Sequence, residues 1–380
     1  MSVSQFTLRA IPDDAEAFRE EIREFLAKNL LPKSRASQAK TWMGFDAEFS
    51  RKLGAQGWIG VTFPGQYGGG GRSPFVRYVI AEELLAAGAP VSAHWIADRQ
   101  SGPLILRFGD EAQKREHLPP ICRGERFFCI GMSEPNAGSD LAAILTRAEK
   151  VRGGWRLSGR KVWTTNAHRS HFMIALVRTT KGTENRHGGL SQFIVDLAAP
   201  GIEVRPIRDL TGEEHFNEVV FDDVLLPDSA LMGVEGQGWS QVMAELAFER
   251  SGPERFLSSM PALLAMLDAA RTSGDAVEIS EIGRLVARLV TLRQMSLAVT
   301  GRIANKEDAA WAAACVKEYG VTFEQDVLDA AAERFAFSPA PRSEDERAVA
   351  YLTQIAPSFS LRGGTREILR GIIARGLGLR

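Results

Sequence analysis

The sequence predicts an α+β multidomain chain with a helical N-terminal region, a middle antiparallel β domain and a C-terminal helix bundle. Three observations predict it. Helical periodicity marks the first third, where Phe18, Ile22, Phe25 and Leu26 share one face. From about Phe128 short β-rich runs follow one another, separated by turn signals. After Pro227 the helical period returns, with Ile282, Leu285, Leu289, Leu292, Ser296 and Val299 on one stripe. The order gives expected domains at 1–127, 128–228 and 229–380.

Each element has its local reason. Pro12 suits a first helical position, and Asp13 and Asp14 complement the positive end of a helix dipole. A second helix starts near Pro74, with Val76, Val79, Ile80 and Leu84 on its buried side. The glycines of PGQYGGGG, Pro64 to Gly71, demand a loop between the two. Strands are expected at Trp155 to Asn166, His171 to Thr179, Leu190 to Leu197, Gly201 to Ile207 and Phe216 to Leu226. Arg152-Gly153-Gly154 and His187-Gly188-Gly189 supply turns between them. Trp311 to Phe335 reads as a further long helix, and long helices with short or polar links make a bundle. No strands alternate with helices, which argues against a parallel dinucleotide-binding sheet.

Composition narrows the class. The chain has 380 residues, 44% hydrophobic and 24% charged, with a formal net charge of -1. A nucleic-acid backbone requires a concentrated basic surface, and none is written here. Cys122, Cys129 and Cys315 form no CxxC pair and too few bridges for a disulfide scaffold, so a reducing cytoplasm is expected. The early charges Arg9, Asp13 and Asp14 do not fit a signal peptide. No apolar run reaches the roughly 20 residues that a bilayer span takes.

Three motifs carry the chemistry. CIGMSEPNAGSD (Cys129 to Asp140) follows the first helical region, GRKVWTTN (Gly159 to Asn166) lies downstream, and GGTREILRGIIARGLGL (Gly363 to Leu379) closes the chain. Together, in this order, they resemble the signatures of the acyl-CoA dehydrogenase family, with Ser133 where TEPxAGSD usually has Thr. The resemblance covers essentially the whole chain. It implies FAD as cofactor, held between the last two domains and at a subunit interface. A flavin that receives hydride needs donors where negative charge builds. Main-chain N–H groups near Met132 and Ser133, with the Ser133 hydroxyl, can supply them. Trp163 taken alone reads as a core tryptophan, but its place in the motif makes it a wall for the flavin ring. By the same resemblance Ile130 and Thr165 belong to the cofactor site, Thr165 near the flavin N5. Ser139 contacts both flavin and the pantetheine arm, Asp140 shapes the turn, and Thr365 and Glu367 approach the pyrophosphate and ribityl chain.

The catalytic base follows from a departure. Much of the family carries glutamate just before the terminal Gly-Thr, where this chain has Gly363. A branch acting on branched or bulky acyl groups places its glutamate on a C-terminal-domain helix before an arginine. Here AFERS (Ala247 to Ser251) stands at that place, after the helix start GQGW, so the resemblance implies Glu249 as base. Glu249 takes the α-proton of the thioester, Gly363 and Gly364 face the substrate carbonyl, and Arg250 positions the CoA end or the loop. The implied reaction is α,β-dehydrogenation of an acyl-CoA to the trans-2-enoyl thioester, with electrons passed to an electron-transfer flavoprotein. Two alternatives are a flavin monooxygenase or oxidase on the same fold, and a subunit that completes another chain's flavin site. After Arg255 the chain has FLSSMP, and further on AERFAFSP; neither matches the RxxFG and QxxGG segments through which a neighbouring subunit holds FAD. Family members with such losses form mixed oligomers, so a homo-oligomer (dimer or tetramer) and a heteromer both stay open. Other chemistries fall away. Ser133 lacks the second glycine of a GxSxG elbow, His168 and His171 have no third metal ligand, and Gly68 to Gly71 has no Walker lysine.

Overall fold

The computed structural model describes residues 6–30, 34–180, 185–335 and 342–379, and the side chains of residues 246–249 lie outside that description. In chain order the elements used below are α1 (Phe18–Asn29), α2 (Pro74–Ala86), α3 (Glu111–Cys122), β1 (Phe128–Gly131), β2 (Arg147–Val151), β3 (Gly154–Thr165), β4 (Phe172–Arg178), β5 (Leu190–Asp196), β6 (Ile202–Ile207), β7 (Phe216–Pro227), β8 (Leu231–Met232), α4 (Gly238–Glu249), α5 (Met260–Ser273), α6 (Ala276–Ala304), α7 (Ala310–Phe335), α8 (Glu344–Leu361) and α9 (Arg366–Gly376). Helices, a β block and helices follow one another as the sequence predicts. The chain forms two compact units: Met1–Gly44 with Arg72–Val91 and Ala247–Arg380, and Phe45–Gly71 with Ser92–Leu246.

The second unit is built on one sheet with strand order β6-β7-β3-β2-β4-β5-β8, and β1 pairs with β4. Most pairs are antiparallel, as expected, but β1 and β2 both run parallel to β4. The reason is the loop after Gly131: the chain leaves β1 and spends residues 132–146 before β2 begins, too far for a hairpin. Alternate residues of β3, β4, β5 and β7 turn Trp155, Leu157, Met173, Phe193, Val219 and Phe221 into one buried cluster. Trp155 meets Phe193 edge-on at 5.3 Å between centroids. Before the sheet, α3 starts in a capping box in which Asp110 and Gln113 satisfy each other's backbone N–H.

Two histidines of this unit, His94 and His117, are buried. His94 shares a 2.9 Å hydrogen bond with Ser50 Oγ, just before a single π-helical turn at Ala97–Ser101. Burial, aided by the Arg99 charge, pulls its pKa down to about 3; burial and Arg126 pull His117 to about 4. Both rings stay neutral in the fold at pH values where the unfolded chain binds a proton. Stability is therefore fully present above an unfolded pKa near 6.5 and is lost as pH falls toward the folded values. Each ring should contribute a slope of about 1.4 kcal/mol per pH unit below that point. Denaturant unfolding measured across this window reads the slope, and His94→Gln should reduce it by about 1.4 kcal/mol per pH unit; an unchanged slope would refute the assignment.

In the first unit, helices distant in sequence are joined by charge. Arg19 on α1 meets Glu16 at 2.5 Å, Glu82 at 3.1 Å and also Glu83. Arg23 holds Glu83 at 2.7 Å, and Arg293 of α6 holds Glu82 at the same distance. Glu82 and Glu83 are largely shielded from water, so the network fixes α1, α2 and α6 in one register rather than floating as a surface pair. α6 is capped by Asp275, whose carboxylate accepts from the N–H groups of Val277 and Glu278. Ile282, Leu285, Leu292, Ser296 and Val299 form its buried stripe, as the periodicity predicts.

Candidate functional site

The second unit displays two of the three motifs side by side. β3 pairs with β7 through two register shifts, one between Leu157 and Gly159 and a second between Lys161↔Val219 and Thr164↔Asn217, and at the second Val162 and Trp163 together oppose a single residue. This is a β-bulge, and bulges re-aim side chains. Without it, Lys161 and Trp163 would share a face by the two-residue period. With it, Lys161 is fully buried while Trp163 is 60% exposed, with an edge contact to Phe216 at 6.1 Å. The backbone of Trp163 has φ 59°, a conformation that costs a bulky residue on the order of 1–3 kcal/mol and collects at functional sites. Asn166, closing the motif, also has a left-handed backbone at φ 54°. Its amide N–H donates to the carbonyl of His215 at 2.8 Å, and its side chain donates to Ser92 Oγ at 2.5 Å.

The first motif is tied to this strand from below. Val162 N–H donates to the Ser133 carbonyl at 2.9 Å. Lys161 Nζ donates to the Met132 carbonyl at 3.0 Å and to Glu134 Oε1 at 2.8 Å. Glu134 also accepts from Leu145 N–H at 2.6 Å and Thr146 N–H at 2.9 Å, closing the loop at its far end. Burial alone would raise the Glu134 pKa, but Lys161 and the two backbone donors hold it below the ordinary carboxylate range. Ile130, Met132, Ser133 and Thr165 are thus half-buried neighbours of the displayed Trp163, while Ser139 is exposed near the end of the loop. Asp140 pairs with Arg186, which pins that end. Lys161 and Glu134 are site residues that sequence reasoning passed over. Their signal was charge alone, shared with Asp140 and Arg160 of the same two motifs.

The first unit carries the terminal motif. Gly363 and Gly364 have φ 71° and 101°, conformations that glycine adopts without strain. Arg250 Nε donates to the Gly363 carbonyl at 2.9 Å, and a Cβ on Gly364 would lie 3.2 Å from Arg250 Nη2. Of the two roles expected for Arg250, the loop contact is the one present. Thr365 is the N-cap of α9, yet its side chain makes no cap bond and instead serves the Glu367 carboxylate. The Glu367 backbone N–H, then the Thr365 hydroxyl, hold that carboxylate below its usual pKa. A helix start with open N–H groups favours an anionic group. Arg366 and Arg370 both reach Glu318 of α7, at 3.0 and 2.9 Å, fixing α9. Glu249 is the last residue of α4, and its side chain lies outside the described residues. Among the described residues no group of three or more metal-ligating side chains gathers, and no helix is long and apolar enough to cross a membrane.

Family models agree with this architecture. The acyl-CoA dehydrogenase N-terminal domain matches residues 12–125 and the middle domain matches residues 129–224. Acyl-CoA dehydrogenase IpdE1 of Mycobacterium tuberculosis is 38% identical over 62% of this chain and 63% of its own length. Acyl-CoA dehydrogenase FadE29 of the same organism is 32% identical over 76% of this chain and 77% of its own. Among solved structures, the Tcur3481-Tcur3483 steroid ACAD superposes with a TM-score of 0.86 at 27% identity, covering 98% of this chain and 99% of that one. The chain belongs to the acyl-CoA dehydrogenase family. Its matches span 63%, 64% and 45% of the first three curated relatives, less than two thirds of their length.

Proposed function

We propose that this protein dehydrogenates the α,β bond of an acyl-CoA thioester with FAD, using Glu249 as base. The observation that carries the reading is the tryptophan ring displayed on a strained bulge beside Met132, Ser133 and Thr165. A strained, exposed aromatic side chain is costly to keep unless something packs on it. The donor set fits a flavin: half-buried backbone N–H groups and hydroxyls; at the same motif the buried Thr164 hydroxyl and the Asn166 amide oxygen, an acceptor, lack hydrogen-bond partners. Ile130, Met132, Ser133, Ser139, Trp163 and Thr165 would hold the flavin end, and Thr365 and Glu367 the phosphate and ribityl end.

Bound FAD supplies the two-electron acceptor for the β-hydrogen. The chain's own residues do the remainder. Glu249 takes the α-proton, and the Gly363 N–H, in a loop fixed by Arg250, steadies the thioester oxygen as charge gathers there. Ser139, Gly364 and Arg250 line the thioester arm. Several finer assignments belong to the same proposal. The acyl group is bulky, as the base position implies and as the similar steroid enzyme suggests. The electron acceptor is an electron-transfer flavoprotein, the compartment is the cytoplasm, and the assembly is oligomeric. Absent RxxFG and QxxGG segments favour a second polypeptide in that assembly, and the similar solved enzyme is itself named as a pair.

Anaerobic titration of the purified, FAD-loaded protein with a panel of acyl-CoAs tests the reading. Bleaching of the visible flavin band by a bulky acyl-CoA, with the enoyl product formed in equal amount, is expected. Oxygen uptake without an enoyl product would instead indicate an oxidase.

A further inference from the structure

We propose that Lys161 is a positioning residue that works through the Met132–Ser133 peptide, orienting the Ser133 N–H and strengthening it as a donor to the flavin. This rests on the FAD reading above and adds a part to it. The Met132 carbonyl accepts from Lys161 Nζ at 3.0 Å. No cis peptide bond occurs among the described residues, and in a planar trans peptide the N–H points opposite to the C=O. The Ser133 N–H is therefore aimed away from Lys161. The next peptide, Ser133–Glu134, is held separately by Val162 N–H on the Ser133 carbonyl at 2.9 Å.

Charge adds strength to direction. A cation bonded to a carbonyl oxygen draws electron density through the amide and makes its N–H a better donor, most of all in a dry setting. Lys161 is dry, with 0% of its side chain exposed. Closing the loop does not require it, because Glu134 already accepts from Leu145 and Thr146 N–H groups. What the lysine adds is a cation opposite Glu134 and the bond to Met132. Gly131 makes room for it, since a Cβ there would come within 3.2 Å of the lysine Cγ and 2.4 Å of Met173 Sδ.

The test uses Lys161→Met, Lys161→Gln and Lys161→Arg in the full-length protein, with FAD affinity, flavin midpoint potential and apoprotein melting measured on each. Met removes both charge and bond; Gln keeps a donor without the charge; Arg keeps the charge. FAD affinity should fall about tenfold or more in Lys161→Met, with a lower potential, beside a fall in apoprotein melting because buried Glu134 loses its cation. Gln should fall between, and Arg should stay near wild type. Wild-type affinity and potential in Lys161→Met overturn the proposal. So does failure of both neutral variants to fold, which assigns the lysine to the fold alone. Wild-type protein that takes up no FAD sinks the flavin reading and this inference together.

Discussion

Glu249→Gln should bind FAD and acyl-CoA as the wild type does, yet reduce the flavin at least about a hundredfold more slowly, since proton abstraction by a placed base contributes on the order of 10²–10⁴. The α-hydrogen of a thioester is weakly acidic, and an amide cannot accept it. The change keeps size and hydrogen-bonding shape, so losses in binding would be small and the effect should fall on the rate. Two features favour this residue over the terminal loop. Position 363 carries glycine, and Arg250, directly after Glu249 in the chain, is buried with its guanidinium on the Gly363 carbonyl. Stopped-flow reduction by a reactive acyl-CoA under anaerobic conditions gives the rate directly. Wild-type reduction by the Gln variant would place the base elsewhere.

Trp163→Gly should separate stability from cofactor binding. At φ 59° a residue with a Cβ is strained by about 1–2 kcal/mol, whereas glycine is not. In an ordinary strand alanine is the better residue by roughly 0.5–1 kcal/mol. Here the order should invert, with the Gly apoprotein more stable than the Ala apoprotein by about 1 kcal/mol. Both variants lose the exposed ring, so both should bind FAD at least about tenfold more weakly. Denaturant melts of the two apoproteins and FAD titrations of the refolded chains check the two halves separately. An Ala variant more stable than Gly, or either variant holding FAD at wild-type affinity, refutes the corresponding half.

Much of the architecture was legible because it is written locally. The α6 stripe and the start of α2 at Pro74 follow from periodicity and caps. Five strands appear within a residue or two of their expected bounds. What escaped is long-range. β1 is four residues long and β2 reads RAEKV, a charged run with little apolar alternation. Their parallel pairing to β4 depends on a partner tens of residues away, not on a hairpin turn. In the same way, a lysine in a strand is normally expected in water. Only Gly131, Glu134 and a bulge one residue later bury Lys161 and expose Trp163. The motifs named candidates for the site, and spacing alone could not tell which of them would face outward.

The ionic seam between α1, α2 and α6 also bears on how the polypeptide emerges from the ribosome. Arg293 grips Glu82 across 211 residues of chain. The unit that contains the N-terminal helix also takes in everything from Ala247 onward, so it is discontinuous along the message. The sheet-bearing unit is nearly complete in sequence once residue 246 has been made, and it can assemble first. Helix α1 can meet α2 early through Glu83, but the pair must wait for α6 to be released before the seam closes. Contacts of such wide separation are slow to close, and the waiting pair is exposed to chaperones and to mispairing.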